Sequence, residues 1–250
     1  MGNKMLAAPT ARFNREEYSI FDDFAYYVDA DLWTKLAADT NATVAHEGSV
    51  GKTRVKLFTG DAILNNEAAI ATTNEVFKYI ANKAIVAEAR IEFAESATDD
   101  AKVAFGFADA IGANFVTDAA AITATDAAVI WKTTDDTYWK FHTEIGGLAN
   151  KAGDGSSTAP AAETVSNTTA GGSSAQTLRI EIVPRSATVF EARPYVDGVQ
   201  LKTASGIPIM HAIALGTATD MDLGAYVKAG SGTSGQETLY VDYIYAAQIR

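Results

Sequence analysis

The chain has 250 residues, no cysteine and a formal net charge of −11 at pH 7. The acidic excess argues against nucleic-acid binding, which needs clustered Lys and Arg. The absence of cysteine excludes disulfides, thiolate metal sites and a cysteine nucleophile. No apolar run reaches the roughly twenty residues of a membrane-spanning helix, so neither nucleic acid nor a membrane is an expected partner.

The first segment, residues 1–17, predicts an N-terminal arm outside the folded domain, suited to attachment to a partner. Its apolar patch is too short for the core of a signal peptide, and charged residues follow it. A short helix is expected from Asp29 to Leu36, with Asp29 as the N-terminal cap. A second short helix is expected in the alanine-rich stretch after Thr117.

The segment GSVGKT, from Gly48 to Thr53, resembles the end of a phosphate-binding loop. However, the position of that motif's first glycine is His46. The following residues, RVKLF, alternate as a strand does, whereas the motif needs a helix N-terminus to hold the anion. A Gly-rich hairpin turn is the better interpretation, and no nucleotide cofactor is expected.

From Ala84 onward, short runs rich in Val, Ile, Phe, Tyr and Thr are separated by Gly, Asp and Asn clusters, which predicts an all-β fold. In AIVAEARIEF the apolar side chains from Ala87 to Phe93 should face the core. The charged side chains between them, Glu88, Arg90 and Glu92, should face solvent, because side chains alternate along a strand. The strands predict one β-sandwich domain over residues 18–250.

Turn-forming residues lie between these strands. Asp197-Gly198 suits a type I′ hairpin, and Thr134-Asp135-Asp136 links two strands that carry Trp. Pro194 has no N–H to donate, so its strand should be an edge or carry a bulge there. Residues 150–176 are nearly all small and polar and predict a long flexible loop, in preference to an interdomain linker.

The segment RIEFAE, from Arg90 to Glu95, raises the question of enzymatic activity, because sandwich glycoside hydrolases of the laminarinase type carry E-x-D-x-x-E on a strand. Retaining hydrolysis needs two carboxyl groups about 5 Å apart. In this alignment Glu95 matches the acid and Glu92 replaces the Asp, but Arg90 stands at the nucleophile's position. The covalent step is thereby lost, so no catalytic residue is assigned and no enzyme is expected.

Histidines and acidic pairs are the candidate metal ligands of this chain. They are His46, His142, His211, Asp99-Asp100, Asp135-Asp136, and the pair Asp220 and Asp222. The histidines lack metal-binding spacing. The acidic pairs could hold one structural calcium ion, yet none matches the EF-hand loop, and acidic turns explain them as well. No metal ligand or other cofactor is therefore assigned.

Five aromatic residues could form a platform for sugars, since rings offer flat apolar faces with polar edges. They are Trp131, Tyr138, Trp139, Phe141 and Tyr195. Alternation places Trp139 and Phe141 on one face of their strand and Tyr138 on the other. At least one set should be buried, so core packing is favoured over glycan stacking.

The order and spacing of these segments resemble phage structural proteins with a concanavalin-like, or LamG-like, jelly roll. The resemblance covers most of the chain. It rests on FDDF at Phe21 to Phe24, DLWTKL at Asp31 to Leu36, and then KAIVAEARIEF, AFGFADA, VIWKTTDDTYWKF, LRIEIVP, YVDGVQL and TLYVDYIYAAQI.

This resemblance implies a two-sheet antiparallel jelly-roll sandwich of the concanavalin A-like lectin/glucanase type, without a shared catalytic motif. It implies a non-enzymatic virion protein that decorates or cements the capsid exterior and is made in the host bacterial cytoplasm. Its partners would be the major capsid protein and copies of itself, as a dimer or trimer. The alternative is a lectin-like module that binds host-surface glycans; a sandwich glycoside hydrolase comes third.

Overall fold

The computed structural model describes residues 17–25, 27, 31–37, 39, 41–49, 52–61, 63–146, 148–149, 163–171, 174–214, 220–230 and 235–249. Within them the chain forms strands and no helix, so no helix that could span a membrane occurs there. The predicted arm before Glu17 and residues 150–162 of the predicted loop lie outside these ranges.

The strands, in chain order, are β1 (Glu17–Asp22), β2 (Trp33–Leu36), β3 (Thr43–Ser49), β4 (Lys52–Phe58), β5 (Glu67–Thr72), β6 (Phe77–Lys78), β7 (Ile85–Ala94), β8 (Lys102–Ala108), β9 (Ala127–Lys132), β10 (Tyr138–Ile145), β11 (Leu148–Ala149), β12 (Glu163–Thr169), β13 (Gln176–Ser186), β14 (Val189–Val196), β15 (Val199–Gln200), β16 (His211–Ala214), β17 (Asp220–Lys228) and β18 (Thr238–Ile249). Strand β12 falls inside the segment for which the sequence predicts a loop.

The strands form two antiparallel nine-stranded sheets. Sheet 1 has the order β15-β14-β13-β7-β18-β4-β3, with β16 beside β14 and β1 beside β18. Sheet 2 has the order β11-β10-β9-β8-β17-β5-β2, with β12 beside β10 and β6 beside β17. Central neighbours such as β7 and β18 are far apart in sequence, as a jelly roll requires. The predicted all-β, two-sheet antiparallel sandwich is confirmed.

The main core lies between the sheets and follows the predicted alternation. The four apolar side chains of β7 from Ala87 to Phe93 are at most 2% exposed, whereas Glu88, Arg90 and Glu92 face outward. The Phe93 ring contacts Trp139 of sheet 2 edge to face, with centroids 5.9 Å apart. Such contacts bury apolar surface from both sheets, which is the main stabilising contribution.

Both helices expected from the sequence are wrong. Strand β2 occupies Trp33–Leu36 and pairs with β5. Trp33 is buried, and its indole N–H donates to Asp22 Oδ2 at 2.7 Å, so tertiary packing overrides local helix propensity. The alanine-rich stretch after Thr117 is a tight turn closed by an isolated bridge between Val116 and Ile122.

The two predicted turns that contain Asp are confirmed. Thr134 and Asp135 form a turn between β9 and β10, with a φ angle of 66° at Asp135. Asp197 and Gly198 have φ angles of 50° and 75°, as a type I′ turn requires, and they join β14 to β15. Of GSVGKT, Gly48 and Ser49 end β3 and Lys52 and Thr53 begin β4, and Ser49 pairs with Lys52. On one side, Pro194 pairs with β13. On the other side, the pairing of β14 with β16 ends before Pro194 and its pairing with β15 begins after Pro194.

A loop at residues 109–126, the covering loop, closes the outer face of sheet 2. Its residues Ile111, Phe115 and Val116 are buried in a second apolar cluster together with alanines of β5, β8 and β9. The Phe115 ring meets Tyr226 of β17 edge to face at 5.7 Å. The outer face of sheet 1 has no comparable cover among the described residues.

Candidate functional site

The uncovered outer face of sheet 1, here called the open face, contains a site where strand β18 changes its pairing partner. Its first residues, from Thr238 to Val241, pair with β4, and its last six residues pair with β1. Between the two, the register with β7 shifts, which leaves Asp242 as an extra residue. Such β-bulges redirect side chains. Here the bulge places Tyr243 opposite Arg90 on the outer face.

The change of neighbour leaves a cleft of about 460 Å³ on this face, here called the β18 cleft. It combines charged with aromatic side chains. The residues that line it include Phe21, Asp23, Arg54, Arg90, Glu92, Asp242 and Tyr243. They come from β1, β4, β7 and β18 and from the segment after β1, so the fold assembles the cleft from distant parts of the sequence.

The charged groups of the cleft are held in place by one another. The Arg90 Nε–H donates to Asp242 Oδ2 at 3.0 Å. The Arg54 guanidinium donates to Glu47 and, at 3.1 Å, to Glu92 Oε2, and it stacks 3.6 Å above the Tyr240 ring. Burial disfavours the charge on Arg54, but its hydrogen bond to Glu47 and both carboxylates outweigh this effect and raise its pKa.

The aromatic groups give the cleft an apolar wall. Phe21 is 66% exposed, and its ring centroid lies 6.1 Å from that of Tyr243. The Tyr243 hydroxyl donates to Glu88 Oε1 at 2.7 Å, and burial together with this hydrogen bond raises the pKa of Tyr243 to about 12. Flat ring faces beside fixed hydrogen-bonding groups can bind a ligand that has an apolar face and several hydroxyls.

The structure separates the carboxylates of the glycosidase-like segment. Glu92 lies in the β18 cleft, bonded to Arg54. Glu95 lies beyond the end of β7, where it accepts hydrogen bonds from the ammonium group of Lys132 in sheet 2 and from the Ala101 N–H at 3.0 Å. Each carboxylate therefore has its own cationic partner and its own surroundings.

The five aromatic residues singled out in the sequence do not assemble into one surface. Trp131, Trp139 and Phe141 are completely buried, which confirms core packing for them. Tyr138 is 44% exposed on sheet 2, whereas Tyr195 is half-buried on sheet 1.

The histidines considered as metal ligands are likewise dispersed. His211 is buried, with Thr143 and Thr164 hydroxyls within 2.9 Å of its ring nitrogens. His142 is buried on sheet 2, and His46 is exposed on β3. Among the described residues no group of three or more His, Asp or Glu is arranged to hold a metal ion.

Sequence reasoning missed the cleft residues Phe21, Arg54, Asp242 and Tyr243. One signal was present. In TLYVDYIYAAQI, the tyrosines at 240, 243 and 245 do not keep the two-residue period of a strand. This break of period marks the bulge, which moves Tyr243 and Tyr245 to the same face as Tyr240.

A smaller cavity of about 250 Å³ lies on sheet 2 beside Asp222, between β2 and the start of the covering loop. Burial raises the pKa of Asp222 to about 6, and the charges of Glu75 and Asp109 act in the same direction. The Thr72 hydroxyl, which donates to Asp222 at 3.3 Å, opposes the shift only in part.

We expect Asp222→Asn to stabilise the protein by about 1–2 kcal/mol at pH 7.5, because it removes a half-buried charge. The raised pKa means that Asp222 contributes a gain in stability as the pH falls from about 7 to 4. Urea unfolding at these two pH values should show that the advantage of the variant over the wild type disappears at the lower pH, because the variant lacks this contribution. Asp220→Asn, at an exposed position of the same strand, serves as the control and should retain it.

No protein-family model matches the sequence, and the comparison with curated proteins found no similar one. Several solved structures are similar in fold. The carbohydrate recognition domain of Emp47p has a TM-score of 0.58 at 12% identity, over 92% of this chain and 94% of that one. Arcelin-5, a lectin-like defense protein from Phaseolus vulgaris, has a TM-score of 0.55 at 10% identity, over 94% and 100%.

An endo-1,3-beta-glucanase from Streptomyces sioyaensis has a TM-score of 0.54 at 15% identity, over 94% of this chain and 97% of that one. All three identities are low, so these similarities show the fold alone. The chain has the concanavalin-like jelly-roll fold of lectins and glucanases.

Proposed function

We propose that the chain is a lectin-like carbohydrate-binding module and that the β18 cleft is its sugar site. The observation that carries this proposal is the pairing of an exposed ring, Phe21, with the preorganised Arg90–Asp242 pair in one cleft. The fold that the chain shares with a carbohydrate recognition domain and a lectin-like protein supports it.

The chemistry of the cleft suits a sugar. The apolar C–H face of a sugar ring stacks on Phe21 or Tyr243. Neighbouring hydroxyls can donate to Asp242 and accept from Arg90, whose guanidinium has N–H groups left over after its bond to Asp242. Because the charged pair is already ordered, binding loses little side-chain entropy.

The virion role implied by the sequence resemblance gains no support from the similar structures, which include lectins and a glucanase. Capsid decoration, the capsid and self-association partners, the localisation and the absence of a cofactor stay predictions. The absence of enzymatic activity also stays a prediction, because the similar folds include both an enzyme and lectins.

Binding to a glycan array tests the sugar site. Wild-type protein should bind at least one glycan, and Phe21→Ala and Asp242→Asn should each weaken that binding about tenfold, equivalent to ~1.4 kcal/mol. Val199→Ala, which truncates an equally exposed apolar side chain on β15, should bind as the wild type does. Absence of any bound glycan, or equal binding by all four proteins, would contradict the proposal.

A further inference from the structure

A second cavity lies on the same open face of sheet 1. This apolar pocket has a volume of about 280 Å³. Its wall is mostly aliphatic, formed by Val86, Val183, Ala247 and Ile249, with Tyr245 alongside. Ile249 is 44% exposed. Apolar side chains in a partly open depression can pack against the C–H face of a further sugar ring.

The pocket lies beside the β18 cleft, further along the same strand. Tyr243 lines the cleft and Tyr245 lines the pocket, and both point outward from β18. Glu88 links the linings of the two cavities. It accepts hydrogen bonds from the Tyr243 hydroxyl of the cleft at 2.7 Å and from Arg179 of the pocket at 3.4 Å. From Asp242 to Ala247 the strand rises by roughly 17 Å, so the two cavities lie along one line on one strand.

The charges along this line disfavour an acidic ligand. Arg90 is paired with Asp242, Arg54 with Glu47 and Glu92, and Arg179 with Glu88 and Glu181. A carboxylate on the ligand would find no arginine whose charge is uncompensated, and it would be repelled by these partner carboxylates. Carboxylates also outnumber guanidinium groups in the lining of each cavity. A neutral ligand needs no cationic partner and is not repelled by these carboxylates.

We infer that the ligand is an uncharged oligosaccharide that extends along β18 from the cleft into the apolar pocket. This inference rests on the proposed function and adds the ligand's charge and length. The cleft binds the first units through Phe21 and the Arg90–Asp242 pair, and the pocket binds units further along. Affinity therefore increases with chain length until the pocket is filled.

The test uses an array of neutral gluco-, manno-, galacto-, xylo- and N-acetylglucosamine oligomers, from disaccharide to hexasaccharide, with oligogalacturonates as acidic counterparts. We expect the hexasaccharide of a bound series to bind at least about tenfold more tightly than its disaccharide. Val183→Gln and Ile249→Gln should remove this gain and leave disaccharide binding unchanged, whereas Phe21→Ala should weaken both.

The outcomes distinguish the two proposals. If a series binds equally at every length, or if the oligogalacturonates bind best, the inference is wrong while the sugar site stands. If no oligosaccharide binds, the sugar site itself is wrong and the inference with it. Equal urea midpoints for wild type and variants check that the glutamine substitutions leave the fold intact.

Discussion

Lys228→Met is expected to destabilise the protein by about 3–5 kcal/mol, because it leaves a buried carboxylate without its cation. Lys228 is fully buried under the covering loop. Its ammonium group lies 2.8 Å from Asp118 Oδ1 and donates to Asn114 Oδ1 at 2.9 Å and to the Val116 carbonyl at 3.2 Å. These contacts tie the covering loop to β17.

The carboxylate at risk is Glu67, which is 6% exposed. It accepts from the Tyr226 hydroxyl and from the Asn114 N–H at 2.9 Å, and Lys228 Nζ lies 3.9 Å away. In Lys228→Met both the charge of Glu67 and the loop carbonyls lose their partner. Lys102, which donates to the Thr117 carbonyl at 3.2 Å, holds the loop at a second point and does not replace Lys228.

Urea unfolding at pH 7.5 measures the loss, with Lys78→Met as the control. Lys78 also forms an ion pair in sheet 2, with Asp220 at 3.0 Å, but both side chains are well exposed. A surface pair of this kind contributes about 0–1 kcal/mol. The double variant Glu67→Gln with Lys228→Met should recover part of the stability. Similar losses for Lys228→Met and Lys78→Met would contradict the assigned role of Lys228.

The alternation of apolar and polar residues was sufficient to predict the strands that bury one face, because this two-residue period is a local property of the sequence. It placed the inner and outer residues of β7 correctly, and the Asp197-Gly198 pair defined its turn through backbone conformation alone. Strand β2 could not be predicted from such a local pattern. Its four residues are stabilised by the pairing of Trp33 with β5 and by the bond to Asp22, both of which are tertiary.

The β18 cleft was beyond sequence reasoning for a related reason. Arg54 and Asp242 lie in different parts of the chain, and they share a cleft only because β18 is flanked first by β4 and then by β1. Pairing between distant strands is a long-range property that no local pattern specifies. The aromatic residues that look most suited to sugars, Trp131 and Trp139, are instead the ones that fill the cores.

His142 should make the protein acid-sensitive. It is 6% exposed on sheet 2, and burial lowers its pKa from 6.5 to about 4. The unfolded chain therefore binds a proton that the folded protein does not, so stability is lost as the pH falls from about 6.5 to 4. The full loss is about 3 kcal/mol, since each pKa unit corresponds to 1.36 kcal/mol.

The groups around His142 do not reverse this sign. Glu144 Oε2 lies 3.2 Å from His142 Nε2 and would favour the charged ring. However, burial raises the pKa of Glu144, and the charges of Asp109 and Asp126 raise it further, which weakens its attraction in acid. The pKa of His142 is low because burial outweighs this neighbour.

His142→Gln isolates the effect, because glutamine keeps a polar group beside Glu144 but cannot be protonated. We expect the two proteins to differ by less than about 1 kcal/mol at pH 8 and the wild type to lose about 2–3 kcal/mol more than the variant by pH 4.5. The opposing gain from Asp222 occurs in both proteins and cancels in the difference. Parallel pH profiles of the unfolding free energy would show that His142 titrates normally in the folded protein.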